Sequence, residues 1–424
     1  MSRRTLLRTG ATAAATGAGA GAVWATGTAA YAGASRTGRT STHERGAGDL
    51  GARLYERVLG YSRASIHRTG TAGEAASLAW LERELRGLGV RPGRWTYSYP
   101  HYEWSATVRV GRRAVQTVPL YYEGVGGVRT TTPFVRSVTT SAAGSDPAVL
   151  QAISDAQADG AELAVLLTTN QVSGYAPYTG LVAYNADPDT AKSGLPTLFI
   201  PGNLADAVAA YGVSVDFQAG TRPGHAYDVT GWLGTRTPVS DPIVITTPLS
   251  GWFTCAAERA TGIALALEVA SEVAREHPVF FLGNTGHELN NYGARAYLAD
   301  EFDLDPVAVF HFGASLAAGG TKTAPGSTFD LVPRVGASNP APDDVPGLVD
   351  DLAAGNFTPT TVFPGEGAEW SKTLGPSVPL LSIAGQFPQF HTPDDRPQIT
   401  TSPDLLVKAY RSLRASVQDL LDAI

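Results

Sequence analysis

The sequence predicts an α/β fold, a mostly parallel sheet sandwiched by helices, with a β-rich segment inserted into it. Three apolar runs, residues 279–282, 307–310 and 380–383, show no alternation with polar residues. Such runs are typical of parallel strands that are buried on both faces by helices. Residues 103–238 differ, because they contain short apolar stretches, many Gly, Pro and Thr turns and few helical patterns.

Before the β-rich segment, we expect one helix and one strand. The helix begins near Gly73, because leucines recur after it at helical spacing and glycines end it. These residues are Leu78, Leu81, Leu85, Leu88, Gly87 and Gly89. Residues 95–99 alternate like a strand, and Pro100 is expected to stop that strand.

After the β-rich segment, strands and helices alternate along the chain. Residues 243–245 are expected to form a strand, and residues 262–274 a helix. Ser402 as N-cap and Pro403 at the first helical position predict a terminal helix. One face of that helix is apolar and carries Leu406, Ala409, Leu413, Val417 and Leu420.

The N-terminus has the pattern of an export signal. Arg3, Arg4 and Arg8 precede a weakly hydrophobic Ala, Gly and Thr run that ends in an A-x-A pattern at residues 30–32. Paired arginines before such a run are typical of twin-arginine export, so residues 1–32 are predicted to be a signal peptide. A disordered cytosolic tail is the alternative. Residues 33–46, rich in Ser, Thr, Gly and Arg, are predicted to be a linker.

Charge and cysteine content limit the partners. The net charge of −7 becomes −10 without residues 1–32, which disfavours nucleic acid and anionic membranes as partners. No run outside the signal is long and apolar enough to be a transmembrane segment. Cys255 is the single cysteine of the 424 residues, so an internal disulfide is excluded.

Chemically informative residues follow the predicted strands. They are Pro248-Leu249-Ser250, the stretch 255–262, His287-Glu288, Phe310-His311 and Phe390-His391-Thr392. Sites in open α/β sheets lie at the carboxyl ends of the strands, and all five groups are expected at that edge.

In order and spacing, these groups resemble the co-catalytic zinc aminopeptidases and their relatives, the carboxypeptidases and glutaminyl cyclases. The resemblance implies an aminopeptidase-like domain formed by residues 47–102 and 239–424. Residues 103–238 resemble a protease-associated insert, which in that family lies beside the active-site cleft. His67-Arg68-Thr69-Gly70-Thr71 is similar to a segment at the start of the family's domain.

The resemblance also implies that most zinc ligands are replaced. Pro248 stands at the place of a histidine ligand, and Ala257 at that of the bridging aspartate. His287 replaces the general base and His311 an aspartate ligand, whereas Glu288 and His391 preserve ligand types. Proline and alanine side chains cannot coordinate metal, so the two-zinc site is not expected here.

Three hypotheses remain open. The leading one is a pseudoenzyme that binds a peptide, a small molecule or a partner in its cleft. The second is a divergent hydrolase with one zinc ion held by Glu288, His391 and His311, with His287 as an optional further ligand, so that the expected cofactor is none or one zinc. The third is metal-free hydrolysis or acyl transfer, with Cys255 as nucleophile at a helix start that lowers its pKa and His287 or His391 as base. Glu258 is expected only to complement the dipole of that helix.

Overall fold

The structure, a computed structural model, describes residues 43–140, 147–190, 192–235 and 237–424. The predicted signal peptide and most of the predicted linker lie outside the described residues. The strands are β1 (Gly93–Val110), β2 (Arg113–Val115), β3 (Val118–Pro119), β4 (Gly126–Thr130), β5 (Phe134–Thr140), β6 (Ala164–Asn170), β7 (Thr197–Pro201), β8 (Val213–Leu233), β9 (Ile243–Pro248), β10 (Val279–Asn284), β11 (Ala308–Phe312), β12 (Gly319–Thr321), β13 (Phe329–Leu331), β14 (Arg334–Asn339), β15 (Phe357–Thr360) and β16 (Leu380–Ala384).

Ten α-helices accompany these strands in the described ranges. They are α1 (His43–Tyr61), α2 (Ala72–Gly87), α3 (Pro147–Ala158), α4 (Ala205–Tyr211), α5 (Thr261–Val273), α6 (Tyr292–Asp300), α7 (Leu348–Ala354), α8 (Glu366–Leu374), α9 (Pro397–Thr400) and α10 (Pro403–Asp422). Helix α1 begins inside the predicted linker. No helix in the described part of the chain is both long and apolar enough to cross a membrane.

The central sheet is mixed and has ten strands, ordered β15-β14-β16-β11-β9-β10-β8-β1-β2, with β4 also paired to β8. Strands β16, β11, β9 and β10 form a parallel centre. Strands β14, β8, β1, β2 and β4 join it through antiparallel pairs. The α/β prediction is therefore confirmed, with parallel pairing concentrated where the apolar runs lie.

Helices cover both faces of the centre. In β9, Ile243 and Ile245 pack into the core that includes α1, α5 and α10. Val244, between them, packs into the core on the opposite face with residues of α6 and α8. Successive strand residues point to opposite faces, so a strand covered on both sides must be apolar at every position. This explains why the central strands carry no polar alternation.

The β-rich segment contributes a separate four-stranded sheet, ordered β3-β7-β6-β5. Strands β1 and β8 pair along their whole length and reach from the central sheet towards it. Thr42–Ile424 forms one compact unit. The predicted boundary between residues 102 and 103 falls inside β1, and the division into two domains stays a prediction.

Pro100 does not stop β1, contrary to expectation. It lies opposite Pro223 of β8 in the antiparallel register. Neither proline has an N–H group, so neither can donate a ladder hydrogen bond to the carbonyl of the other. The carbonyl of Pro100 instead accepts a hydrogen bond from the Tyr122 hydroxyl at 2.8 Å.

Candidate functional site

The predicted site residues lie at the carboxyl edge of the parallel centre. The loop after β9 leads to a π-helical turn, Ala256–Ala260, which continues into α5. Cys255 precedes this turn with φ of 48°, a left-handed conformation. The carboxylate of Asp395 accepts the backbone N–H groups of Ala257 at 2.8 Å and Glu258 at 3.0 Å. These bonds satisfy donors that a helix start leaves free, and they fix Glu258 and Arg259 at the edge of the sheet.

Three side chains converge at this edge, and we call them the central cluster: Glu258, His287 and His391. One ligand atom from each lies within 4.8 Å of those of the other two. Both carboxylate oxygens of Glu258, Nδ1 of His287 and Nε2 of His391 are buried without a hydrogen-bond partner in the protein. Two imidazoles and one carboxylate are a ligand set of catalytic zinc sites.

The orientation of His391 is fixed by its surroundings. Its Nδ1 lies 3.2 Å from the carbonyl oxygen of Ala183, so this nitrogen donates and carries the proton. Nε2 then faces Oε1 of Glu258 at 3.3 Å. The ring also stacks on Phe390 with centroids 4.1 Å apart. A second hydrogen bond that sets the tautomer is common among metal-binding histidines.

A guanidinium group lies against the central cluster. Arg259 is fully buried, and its Nη2 lies 2.9 Å from Oε1 of Glu258, which is also fully buried. The Nε of Arg259 donates to the carbonyl of Ser250 at 2.9 Å. Burial alone would raise the pKa of Glu258, but the charges of Arg259 and His391 lower that pKa to about 2. Burial, followed by the charge of Arg259, holds the pKa of His287 well below its usual value.

Glu288 and His311, two of the predicted metal ligands, are not part of the central cluster. The carboxylate of Glu288 accepts hydrogen bonds from Thr69 N–H at 2.5 Å and from Ser250 Oγ at 2.7 Å. It therefore ties the loop before α2 to the loop after β9. The predicted grouping of Glu288, His311 and His391 is replaced by Glu258, His287 and His391.

His311 belongs to a second buried group next to α8. Its Nδ1 lies 2.8 Å from Ser382 Oγ, and its Nε2 lies 3.6 Å from Oε1 of Glu366. Asn284 donates to the same oxygen of Glu366 at 2.6 Å. Burial raises the pKa of Glu366 to about 7, and burial with the charge of Arg259 lowers the pKa of His311 to about 3.

The expected lowering of the Cys255 pKa is wrong. The residue is 1 % exposed, and burial raises the pKa of its thiol well above the usual range. The carboxylates of Glu258 and Asp395 raise that pKa further. Both effects disfavour the thiolate, which is the nucleophilic form, and they outweigh the helix start that the sequence indicated.

Sequence reasoning assigned Glu258 only a dipole role and did not identify Arg259. A usable signal is present, since the two charged residues stand alone in the run CAAERATGIALAL, which otherwise has no charge. Charged residues inside such a run are buried with it and therefore need partners. Their convergence with His287 and His391 depends on three loops that are distant in sequence, so no local pattern predicts it.

The stretch 181–186 of the β-rich segment is hydrogen-bonded to the loops that carry the central cluster, and we call it the roof. Ala183 N–H donates to the carbonyl of His391 at 3.0 Å, and Ala186 N–H donates to that of Glu288 at 3.0 Å. Trp252 Nε1 donates to Asn185 Oδ1 at 2.9 Å. The roof is thus bonded to the same loops that carry the site.

Beside the central cluster lies a cavity of about 380 Å³, which we call the aromatic cavity. Its walls come from the loop before α2, from β1, from the loop after β3 and from the turn that follows β10. They are formed by Arg68, Thr69, Gly70, Thr71, Tyr99, His101, Tyr102, Glu103, Trp104, Tyr121, Tyr122 and Leu289.

Comparison with solved structures identifies the architecture. A zinc aminopeptidase from Bacillus subtilis matches with a TM-score of 0.65 at 14% identity, over 87% of this chain and 94% of that one. The chain has the zinc-aminopeptidase fold. An aminopeptidase from Aneurinibacillus sp. strain AM-1 matches at TM-score 0.51 and 15% identity, over 87% and 93% of the two chains. A peptidase precursor from Shewanella amazonensis matches at 0.56 and 13%, over 88% and 96%. No family model and no curated protein matches the sequence.

The two-zinc site that the resemblance implies does not fit these residues. Pro248 and Ala257 offer no donor atoms at the positions where the resemblance places two ligands. A single metal ion fits the donor types of the central cluster but not its charge, because the guanidinium of Arg259 lies against Glu258. The positive charge of Arg259 therefore lies beside the three residues that could bind a metal ion.

Proposed function

We propose that the protein is a non-peptidase that binds a ligand in the cleft beside its altered centre. The observation that carries this proposal is the buried pair of Arg259 and Glu258, with 2.9 Å between Nη2 and Oε1. At about 4 Å, two like unit charges repel by roughly 4 kcal/mol at an effective dielectric constant of 20. A divalent ion bound to Glu258 would face at least that repulsion from Arg259.

The roof supports the same proposal. Ala183 and Ala186 are bonded to the backbone on both sides of the central cluster, and Trp252 holds Asn185. A peptide bond that is to be hydrolysed must come within about 3 Å of the catalytic groups. We infer that the roof restricts access to Glu258 and His391, and that a ligand binds in the aromatic cavity instead.

A single-metal hydrolase is the second candidate, and the geometry of the central cluster favours it. Glu258 Oε1 or Oε2, His287 Nδ1 and His391 Nε2 would hold the ion. Such an ion would supply Lewis acidity and lower the pKa of a bound water. Arg259 would have to turn away from Glu258 in that state.

Zinc content and hydrolysis together test the proposal. Full-length protein purified without chelator or histidine tag is expected to contain no stoichiometric zinc and to leave aminoacyl 4-nitroanilides intact when zinc is added. One equivalent of zinc that is lost in Glu258→Gln and kept in Glu369→Gln would establish the second candidate instead. Glu369 is the matched control because it lies on α8 outside the central cluster.

We also propose that the protein is exported by the twin-arginine route. The support is the sequence of residues 1–32 alone, with its paired Arg3 and Arg4. Replacing both by lysine is expected to retain a fused reporter inside the cell, as measured by fractionation. Export that is unaffected by the double replacement would contradict this proposal.

A further inference from the structure

The aromatic cavity contains a cation that no carboxylate neutralises. Among the described residues, no carboxylate oxygen lies within 4.0 Å of the guanidinium of Arg68, and its Nε is buried without a hydrogen-bond partner. The guanidinium carbon lies 5.7 Å from the ring centre of Trp104 and 5.9 Å from that of Tyr121. Flat aromatic neighbours hold a guanidinium in place and leave its N–H groups free to bind an anion.

The acids near the cavity are already engaged. Glu103 pairs with Arg222 at 2.6 Å. Glu74 accepts the Gly70 N–H at 2.6 Å, and burial raises the pKa of Glu74 well above its usual value. Glu288 accepts hydrogen bonds from Thr69 and Ser250, as described above. Arg68 is therefore the basic side chain of the cavity wall that pairs with none of these acids.

Aromatic rings form a large part of the other walls, next to the polar residues Thr69, Thr71, His101 and Glu103. Tyr102 and Tyr121 pack with ring centres 4.9 Å apart, and Tyr102 and Tyr122 with centres 5.3 Å apart. Leu289 closes the side next to Glu288. The Tyr102 hydroxyl donates to the carbonyl of Gly124, so the ring rather than the hydroxyl is available to a ligand. Pockets with apolar walls and one or two placed polar groups are typical small-ligand sites.

We propose that the aromatic cavity binds a carboxylate attached to an aromatic or apolar group, with Arg68 receiving the carboxylate. A guanidinium offers two parallel N–H donors that match the two oxygens of a carboxylate. The volume of about 380 Å³ is at the lower end of ligand pockets, which suits one aromatic residue or a molecule of that size. This inference rests on the proposed ligand-binding function and names its ligand class.

Titration calorimetry with N-acetylphenylalanine and its carboxamide tests the inference on the full-length protein. The carboxylate is expected to bind at least ten times more tightly than the carboxamide, because the charged hydrogen bonds depend on it. Arg68→Gln is expected to abolish that preference, and Arg68→Lys to retain part of it. Arg109→Gln is the matched control. Arg109 is exposed on β1, a strand that also contributes to the cavity, but Arg109 does not line the cavity.

Several outcomes decide between the possibilities. Equal binding of carboxylate and carboxamide, or an unchanged preference in Arg68→Gln with native unfolding behaviour, would overturn the inference. If a peptide that ends in phenylalanine binds more tightly than N-acetylphenylalanine, the natural carboxylate is a peptide C-terminus. If N-acetylphenylalanine binds more tightly, the natural ligand is a free small molecule. Stoichiometric zinc, together with an intact preference for the carboxylate over the carboxamide, would contradict only the proposed non-peptidase function. Failure of that function is therefore distinguishable from failure of the ligand-class inference.

Discussion

At the scale of single residues, the altered centre depends on the balance between Arg259 and Glu258. Both side chains are fully buried, and each neutralises the other. Removing one partner of a buried ion pair leaves a charge without compensation in a low dielectric, which is far more costly than removing both. The two residues are therefore expected to behave as one unit in mutagenesis.

We predict that Arg259→Met lowers the free energy of unfolding by about 3–5 kcal/mol, because Glu258 is left buried and unpaired. Adding Glu258→Gln to this variant is expected to restore most of that loss. Urea unfolding followed by tryptophan fluorescence measures both effects. Arg129→Met is the control, since the Arg129–Asp216 pair is exposed and is expected to change stability by less than about 1 kcal/mol. Additive effects of the two central substitutions would contradict the pairing.

Glu366 gives a prediction for pH dependence. Its pKa is about 7 in the folded protein, mainly through burial, so folding favours the protonated form. The stability that this group contributes is complete below its unfolded pKa of about 4.3 and is lost as the pH rises towards about 7. His311, Asn284, Trp370, Arg259 and Glu369 face or influence this carboxyl, and His311, with a pKa of about 3, stays neutral over the range.

Replacing Glu366 by glutamine is therefore expected to flatten the stability profile between about pH 5 and pH 8, by an amount on the order of 3 kcal/mol. Urea midpoints measured across that range test this, with Glu369→Gln as the neighbouring control. A profile in Glu366→Gln as steep as that of the unaltered protein would show that another group titrates.

Residue types at the site were readable from the sequence, but their partners were not. The sequence predicts His287 as a base and His391 as a metal ligand; the two side chains lie together in the central cluster, and their roles stay predictions. Glu288 was taken as a ligand because the resemblance preserves it, yet its carboxylate is used by Thr69 and Ser250. The thiol of Cys255 lies at a helix start as expected, but its burial could not be inferred from neighbouring residues.

At the scale of elements, Asp395 in the loop after β16 holds the π-helical turn that leads into α5. Asp395 accepts two N–H groups of the π-helical turn and also the hydroxyl of Thr400 at 2.7 Å. Because Glu258 and Arg259 project from that turn, Asp395 positions them without touching their charged groups. The apolar strands were predictable because burial on both faces dictates their composition. The Asp395 cap was not predictable, because it joins residues that are 137 positions apart in the sequence.

Asp395→Ala is expected to lower the free energy of unfolding by about 2 kcal/mol, because two helix-start N–H groups lose their acceptor. Asp394→Ala is the matched control, since Asp394 accepts from the Tyr178 hydroxyl, forms an exposed ion pair with Arg396 and lies outside the turn. Chemical denaturation of both variants supplies the comparison. Equal effects of the two substitutions would argue against a capping role for Asp395.

At the scale of the whole molecule, β1 and β8 unite the central sheet with the inserted β-rich segment. The two strands stay in register from the pair Gly93 and Thr230 to the pair Val110 and Val213. The sequence suggested a boundary near residue 102 and a stop at Pro100, because local signals cannot show that Pro100 meets a second proline. The overall fold was nevertheless predictable from the apolar runs and from the order of the landmark residues.

Because β1 and β8 connect the central sheet with the β-rich segment, we expect a single cooperative unfolding transition. Neither part can release β1 or β8 without exposing hydrogen-bonding edges of the other, so separate unfolding is disfavoured. Scanning calorimetry of the full-length protein checks this expectation. Two resolved transitions, with one assigned by hydrogen exchange to residues 118–201, would instead show an autonomous insert.

We infer that Arg259 takes the place of a metal ion beside Glu258, and a calorimetric titration with zinc tests this claim. The unaltered protein is expected to show no stoichiometric binding. Arg259→Met is expected to bind one zinc ion through Glu258, His287 and His391, with a rise in its unfolding midpoint when zinc is present. Stoichiometric zinc binding by the unaltered protein that Arg259→Met does not strengthen would contradict the claim.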